Sequence, residues 1–233
     1  MRGLRMLAAA LLLLVGMGPA VAGQAKRAPA NWLTTVVRTP EGGYRQGNPN
    51  AAIKLIEYGS RGCPTCGRFA AEGVEPLRRE WVATGKLSYE FRDYLIHGAP
   101  DFALALLNQC VPTARFFPVL DRMFANQRAF AEQLEKVPMK TLEGYQQLPV
   151  PQMATRFAEA MGAIAFMKQL GVPEAQSRRC LTDPVAIKRI AQTNADAANV
   201  HGVDSTPSFF VNGRKVRAYS WAALQPELRA ADN

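Results

Sequence analysis

The stretch that most constrains this chain is Cys63-Pro64-Thr65-Cys66. An apolar run, Ala52-Ile53-Lys54-Leu55-Ile56-Glu57-Tyr58, precedes it and reads as a buried strand. Phe69, Ala70, Val74, Leu77 and Trp81 follow, spaced along one face of a helix that runs to about Thr84. The Cys-x-x-Cys therefore falls where a strand ends and a helix begins. A helix start presents free N–H groups and the positive end of its dipole. Cys63, the last residue before the helix, faces those groups, and its pKa is expected to fall from about 8.5 into the range of roughly 3.5–7.5. Arg61 adds a nearby positive charge, and Pro64 suits the first helical position, where no N–H is needed. Cys66 lies one turn on and deeper. The expected division of labour is Cys63 exchanging with a partner sulfur and Cys66 resolving the mixed disulfide.

A structural zinc site is the rival reading, and it needs four ligands, usually as two close pairs. Here Cys110 and Cys180 stand alone, and the histidines are His97 and His201, to neither of which a role is assigned. Redox exchange is the preferred reading, with no metal site and no cofactor.

The 233 residues and 48% hydrophobic content support one domain with a sizeable core, or one domain with an insertion. The net charge of +9 raises nucleic-acid binding as an alternative. The basic residues are scattered, however, and no run exceeds Arg78-Arg79 or Arg178-Arg179. No nucleic-acid-binding motif accompanies them, so the charge reads as a solvated surface and no nucleic-acid partner is expected.

Residues 1–22 read as a signal peptide. Arg2 and Arg5 form its positive end, Met6 to Val15 its apolar core, and Ala20-Val21-Ala22 its cleavage site. Residues 23–233 would then form the exported protein, in an oxidising compartment that permits disulfides.

Along the chain, residues 34–38 read as a strand, and Pro40-Glu41-Gly42-Gly43 and Gly47-Asn48-Pro49-Asn50 as turns. Pro76 is expected to kink the helix that follows the cysteines, and Gly85 to end it. Leu87 to Tyr94 alternates like a strand. From about 98 to 200 the pattern is helical almost throughout, with Asp101 as a candidate cap and 125–150 poorly defined. Ser208 to Val211, Asn212-Gly213 and Lys215 to Arg217 read as a hairpin, and Ser220 caps a final helix. The fold class is α/β.

These features resemble the DsbA-like thiol–disulfide oxidoreductases of bacterial envelopes. Cys63-Pro64-Thr65-Cys66 after a strand is the first. The second is Ser205-Thr206-Pro207-Ser208-Phe209-Phe210-Val211-Asn212-Gly213, which is similar to the family's cis-proline segment and terminal hairpin. Glu57, six residues before Cys63, matches the buried acid of thioredoxin-like proteins. The likeness spans about residues 31–233 and implies a thioredoxin-like fold interrupted by an all-helical insertion at about 98–200.

The resemblance further implies a redox-active Cys63–Cys66 disulfide and a cis Pro207 packed on the Cys63 sulfur. Thr206 backbone, together with Pro64 and Thr65, would receive a substrate strand. Glu57 would take the proton of Cys66; its alternative is a surface glutamate. Cys110 and Cys180 would form a structural disulfide; the alternative is two free buried cysteines. The implied partners are reduced or misoxidised exported proteins and a membrane redox partner that resets the Cys-x-x-Cys. The location is periplasmic. No dimerisation module is seen at residues 23–33, so a monomer is expected.

Two departures leave the direction of exchange open. Pro-Thr stands between the cysteines where the strongly oxidising member has Pro-His, and Thr206 precedes Pro207 where that member has Val. A disulfide donor is the leading expectation and a reductase or isomerase the alternative, with a metal chaperone using the Cys-x-x-Cys third.

Overall fold

The computed structural model describes residues 31–232; the expected signal peptide at 1–22 lies outside them. Six strands form one mixed sheet: β1 (Val36–Arg38), β2 (Tyr44–Gly47), β3 (Ile53–Gly59), β4 (Leu87–Asp93), β5 (Ser208–Val211) and β6 (Arg214–Val216), in the order β1-β2-β4-β3-β5-β6. Only the central β3–β4 pair is parallel, and it is joined through the helix that carries the cysteines. A parallel pair requires such a crossover.

That helix, α1 (Pro64–Leu77), begins at the Cys-x-x-Cys because Pro64 has its φ preset for the first helical position. Pro76 is accommodated inside it. The α-helix stops at Leu77 rather than near Thr84, and the chain continues as a π-helical turn, Arg78–Val82, closed by Ala83 N–H donating to the Arg78 carbonyl at 2.8 Å.

Between β4 and β5 lie α2 (Ala99–Asn108), α3 (Phe116–Ala125), α4 (Gln127–Glu135), α5 (Met139–Gln146), α6 (Val150–Ala160), α7 (Ala163–Gln169), α8 (Glu174–Leu181) and α9 (Pro184–Asn199). The final helix is α10 (Trp221–Ala231), capped by the Ser220 hydroxyl accepting from Ala223 N–H. Residues 125–150, undefined by periodicity, hold α4 and α5. Strand β2 stands where the sequence predicts only a turn beginning at Gly47. Tyr-Arg-Gln-Gly has little strand propensity of its own, and pairing with β1 and β4 makes it a strand.

Two hydrophobic cores meet at α3. One joins a face of the sheet to α1 and α10 through Leu55, Phe69, Leu77, Phe91, Phe209, Leu224 and Leu228. The other lies within the helical segment, around Leu104, Leu107, Phe157, Met161 and Ile190. Helix α3 gives Phe116, Phe117, Leu120 and Phe124 to the first and Val119 and Met123 to the second. The helical segment is thus packed into the sheet's core along one helix. A third, small cluster of Tyr58, Phe210, Ala197 and Val203 packs α9 on the opposite face.

Candidate active site

Cys63 occupies the N-cap of α1 with extended backbone, and Cys66 sits in the first turn. Gly67 N–H donates to the Cys63 carbonyl at 3.0 Å, the first bond of the helix. Both sulfurs are free thiols; Cys63 is 5% exposed and Cys66 fully buried. Cys66 donates a hydrogen bond to Cys63, and this is the largest influence holding the Cys63 thiol down at about 5. The N–H groups of Cys66 and Thr65 act in the same direction, against burial. Burial pushes the Cys66 thiol well up, and its bond to Cys63 and the charge of Glu57 add to that. One sulfur is therefore held ready as a thiolate while its neighbour keeps its proton.

The second wall of the site comes from the far end of the chain. Strand β5 pairs antiparallel with β3, placing Phe209 opposite Glu57 and Ser208 opposite Tyr58. The loop entering β5 is carried against Cys63, with the Thr206–Pro207 peptide cis. The Cys63 thiol donates to the Thr206 carbonyl at 3.3 Å. Thr206 is 7% exposed, so in this reduced form its carbonyl is turned to the sulfur rather than open to solvent. Its hydroxyl is buried without a partner. Pro64 is exposed and Thr65 half-buried at the mouth.

Glu57 lies on the core side of β3, 1% exposed, while Lys54, three residues earlier, faces solvent. Tyr89 donates to Glu57 Oε2 at 2.6 Å, and Oε1 has no hydrogen-bond partner. Burial raises the Glu57 carboxyl to about 8 in spite of the Tyr89 bond. A carboxyl that gains and loses its proton near neutral pH is suited to relay one.

Arg61 differs from expectation. Its guanidinium is 1% exposed and turned into the protein, paired with Asp93 and bonded to Asn108 Oδ1 at 2.8 and 3.1 Å. It also sits over the ring of Phe91. A buried arginine needs such partners, and they take its charge away from the Cys63 sulfur. Asp101 likewise is not the cap of α2, which begins earlier with Gly98 at its N-cap. Its carboxylate accepts instead from Ser60 Oγ at 2.6 Å, Gly62 N–H at 2.7 Å and His97 N–H at 3.0 Å.

Asp93, Asn108 and Gln127 bind the cysteine loop and were not singled out from the sequence. A lone polar residue on an apolar helix, as at Asn108, is the one signal that was available. Cys110 and Cys180 form a disulfide, S–S 1.99 Å, which ties the chain just after α2 to α8. His97 contributes its backbone to Asp101, and the His201 ring lies 5.8 Å from that of Tyr58.

A family model described as Thioredoxin matches residues 39–229. A Rickettsia felis protein named "Putative protein-disulfide oxidoreductase" is 27% identical over 175 residues, which is 75% of this chain and 54% of that protein. The chain spans about half the length of the curated relatives it matches. The crystal structure of a protein-disulfide isomerase from Novosphingobium aromaticivorans superposes with a TM-score of 0.79 at 27% identity, over 82% of this chain and 98% of that one. Wolbachia pipientis alpha-DsbA1 superposes at 0.64 with 17% identity, over 81% and 89%, a likeness of fold. The DsbA-like, thioredoxin-type α/β fold with helices between its halves is thus shared with solved structures. With the match running from the turn before β2 into α10, across both walls of the cysteine site, this chain belongs to the thioredoxin family.

Proposed function

We propose that this chain is an exported thiol–disulfide oxidoreductase that gives a Cys63–Cys66 disulfide to protein thiols. The observation that carries the reading is the pairing of unlike sulfurs, with Cys63 held down at about 5 and Cys66 pushed up beside it. In the oxidised enzyme a substrate thiolate attacks Cys63 Sγ, the Cys63–Cys66 bond breaks, and its electron pair leaves on Cys66. Glu57 gives Cys66 its proton. A second substrate thiolate attacks the substrate sulfur of the mixed disulfide and releases Cys63 as a thiolate. The net change is one disulfide and two substrate thiols exchanged for two enzyme thiols and one substrate disulfide.

The low pKa of Cys63 drives the last step, since a stable thiolate leaves readily. Thr206, Pro207, Pro64 and Thr65 would line the substrate sulfur's approach. Reduced or misoxidised exported proteins are the proposed substrates, and a membrane redox partner the proposed source of oxidising equivalents. The proposed setting is the periplasm, with 1–22 removed and the protein monomeric; among the described residues no helix is long and apolar enough to cross a membrane.

The test is the equilibrium reduction potential of Cys63–Cys66 in glutathione buffers. A value near about −120 mV is expected of a donor, and one near about −270 mV would replace it with a reductase. The likeness to the Novosphingobium protein-disulfide isomerase favours a second reading, in which rescue of scrambled substrate disulfides exceeds oxidation of reduced ones. Absence of any reversible transition would overturn exchange and favour metal binding.

A further inference from the structure

The backbone of the cysteine loop is held as much by the helical segment as by the sheet. Asp101 on α2 binds Gly62 N–H and Ser60 Oγ, and Ser60 Oγ in turn accepts from Cys63 N–H at 3.1 Å. Gln127, the first residue of α4, takes the carbonyl side: its Nε2 donates to Arg61 O at 2.7 Å and to Cys63 O at 2.9 Å. The Cys63 carbonyl is also the acceptor of Gly67 N–H, so one oxygen joins the start of α1 to the start of α4.

We propose that Gln127 is a positioning residue for the Cys63–Cys66 couple, and that Gly67 is the gap in α1 that admits its amide. The proposal rests on the exchange reading above. Glycine is a poor helix former, and the reason for one beside Cys66 is space. A Cβ built at Gly67 would lie 2.5 Å from Gln127 Oε1 and 3.2 Å from its Cδ, so any side chain there displaces the amide.

The consequence follows from what each redox state needs. In the disulfide the Cys63 sulfur is bonded and uncharged. In the dithiol it is a thiolate that needs the N–H groups of Thr65 and Cys66 aimed at it. Those groups belong to the turn that the Cys63 carbonyl closes. Holding that carbonyl stabilises the reduced state over the oxidised one, and so makes the pair more oxidising.

The experiment measures the glutathione equilibrium and the Cys63 thiol titration for wild type, Gln127→Ala, Gln127→Glu, Gly67→Ala and the double variant Gly67→Ala/Gln127→Ala. Loss of the amide is expected to move the equilibrium constant roughly threefold to tenfold toward the disulfide, and to raise the Cys63 titration midpoint. Gln127→Glu is expected to move both at least as far, because its carboxylate cannot donate and adds negative charge beside the thiolate. Gly67→Ala is expected to act in the same direction in wild type and to add little once Gln127 is alanine.

A wild type that cycles, with variants that keep its equilibrium and titration whatever their melting temperatures, overturns the proposal. So does a Gly67→Ala effect that is the same with and without Gln127. If Gln127→Ala does not fold, Gly67→Ala carries the test, since alanine favours the helix. A wild type that does not cycle fails the exchange reading itself, which is a separate outcome.

Discussion

At the scale of single residues, the two sulfurs and one carboxyl divide the proton chemistry between them. Cys63 is expected to react with iodoacetamide with a midpoint near pH 5 and a rate that then stays flat past neutrality. Absorbance of the thiolate at 240 nm checks the same midpoint. Cys66→Ala is expected to accumulate mixed disulfide with substrate, because the resolving thiol is gone, and Cys63→Ala to lower exchange by several orders of magnitude.

Glu57 has a signature of its own in stability. Its folded pKa of about 8 lies above the ordinary carboxyl value of 4.5, so between those pH values the folded chain holds a proton that the unfolded chain has lost. Stability then falls with rising pH, by about 1.4 kcal/mol per unit. Cys63 in the reduced protein works oppositely. Its folded pKa of about 5 lies below the ordinary thiol value of 9.0, so its contribution grows as pH rises between them. Urea unfolding of the reduced protein from pH 5 to 8 is expected to be nearly flat, because the two contributions oppose each other. Glu57→Gln is expected to leave stability rising with pH, since the Cys63 contribution then stands alone. A slope unchanged in that variant would show that Glu57 does not hold the proton.

At the scale of elements, the turn between β3 and α1 is fixed by a buried charge pair that crosses three elements. Arg61 in the turn meets Asp93 at the end of β4 and Asn108 at the end of α2, and Gln109 donates to Asp93 at 3.1 Å. Removing one member strands a buried charge, which costs about 3–5 kcal/mol. Arg61→Met is expected to lose that much in urea unfolding. Arg61→Met/Asp93→Leu is expected to recover most of it, since no charge is then left alone. Equal loss in both variants would show that the packing of Arg61 against Phe91, rather than charge, holds the turn.

At the scale of the whole molecule, the Cys110–Cys180 bond closes a loop with a sequence separation of 70 within the helical segment. On the chain-entropy model that closure is worth about 4 kcal/mol. Cys110→Ser/Cys180→Ser is expected to lower stability by up to that amount while leaving the potential of Cys63–Cys66 where it was. The reason is that Cys110 packs against the core of the helical segment, where its carbonyl accepts from Gln176 of α8. A matching shift in the potential would show that the helical segment transmits strain to the active pair.

Much of the site was legible in the chain alone because its signals are local. A strand that stops, a proline preset for a first turn and two cysteines three apart place Cys63 at a helix start without knowledge of any other element. The three-residue spacing of Lys54 and Glu57 puts them on opposite faces of a regular strand, and the packing of β3 gave Glu57 the core side. What the tertiary structure decided are the contacts that are far apart in sequence. Arg61 looked like a charge for the thiolate, and the positions of Asp93 and Asn108 turned it inward. Asp101 looked like a helix cap, and the approach of the cysteine loop made it an acceptor for Ser60 and Gly62. Gln127 carried no signal at all, since a glutamine on a helix is ordinary until the packing of α4 brings its amide to the Cys63 carbonyl. The sequence determined which atoms react, through propensities set over a few residues. The tertiary structure decided which atoms hold them in place, because hydrogen-bond partners are chosen by where packed helices come to rest.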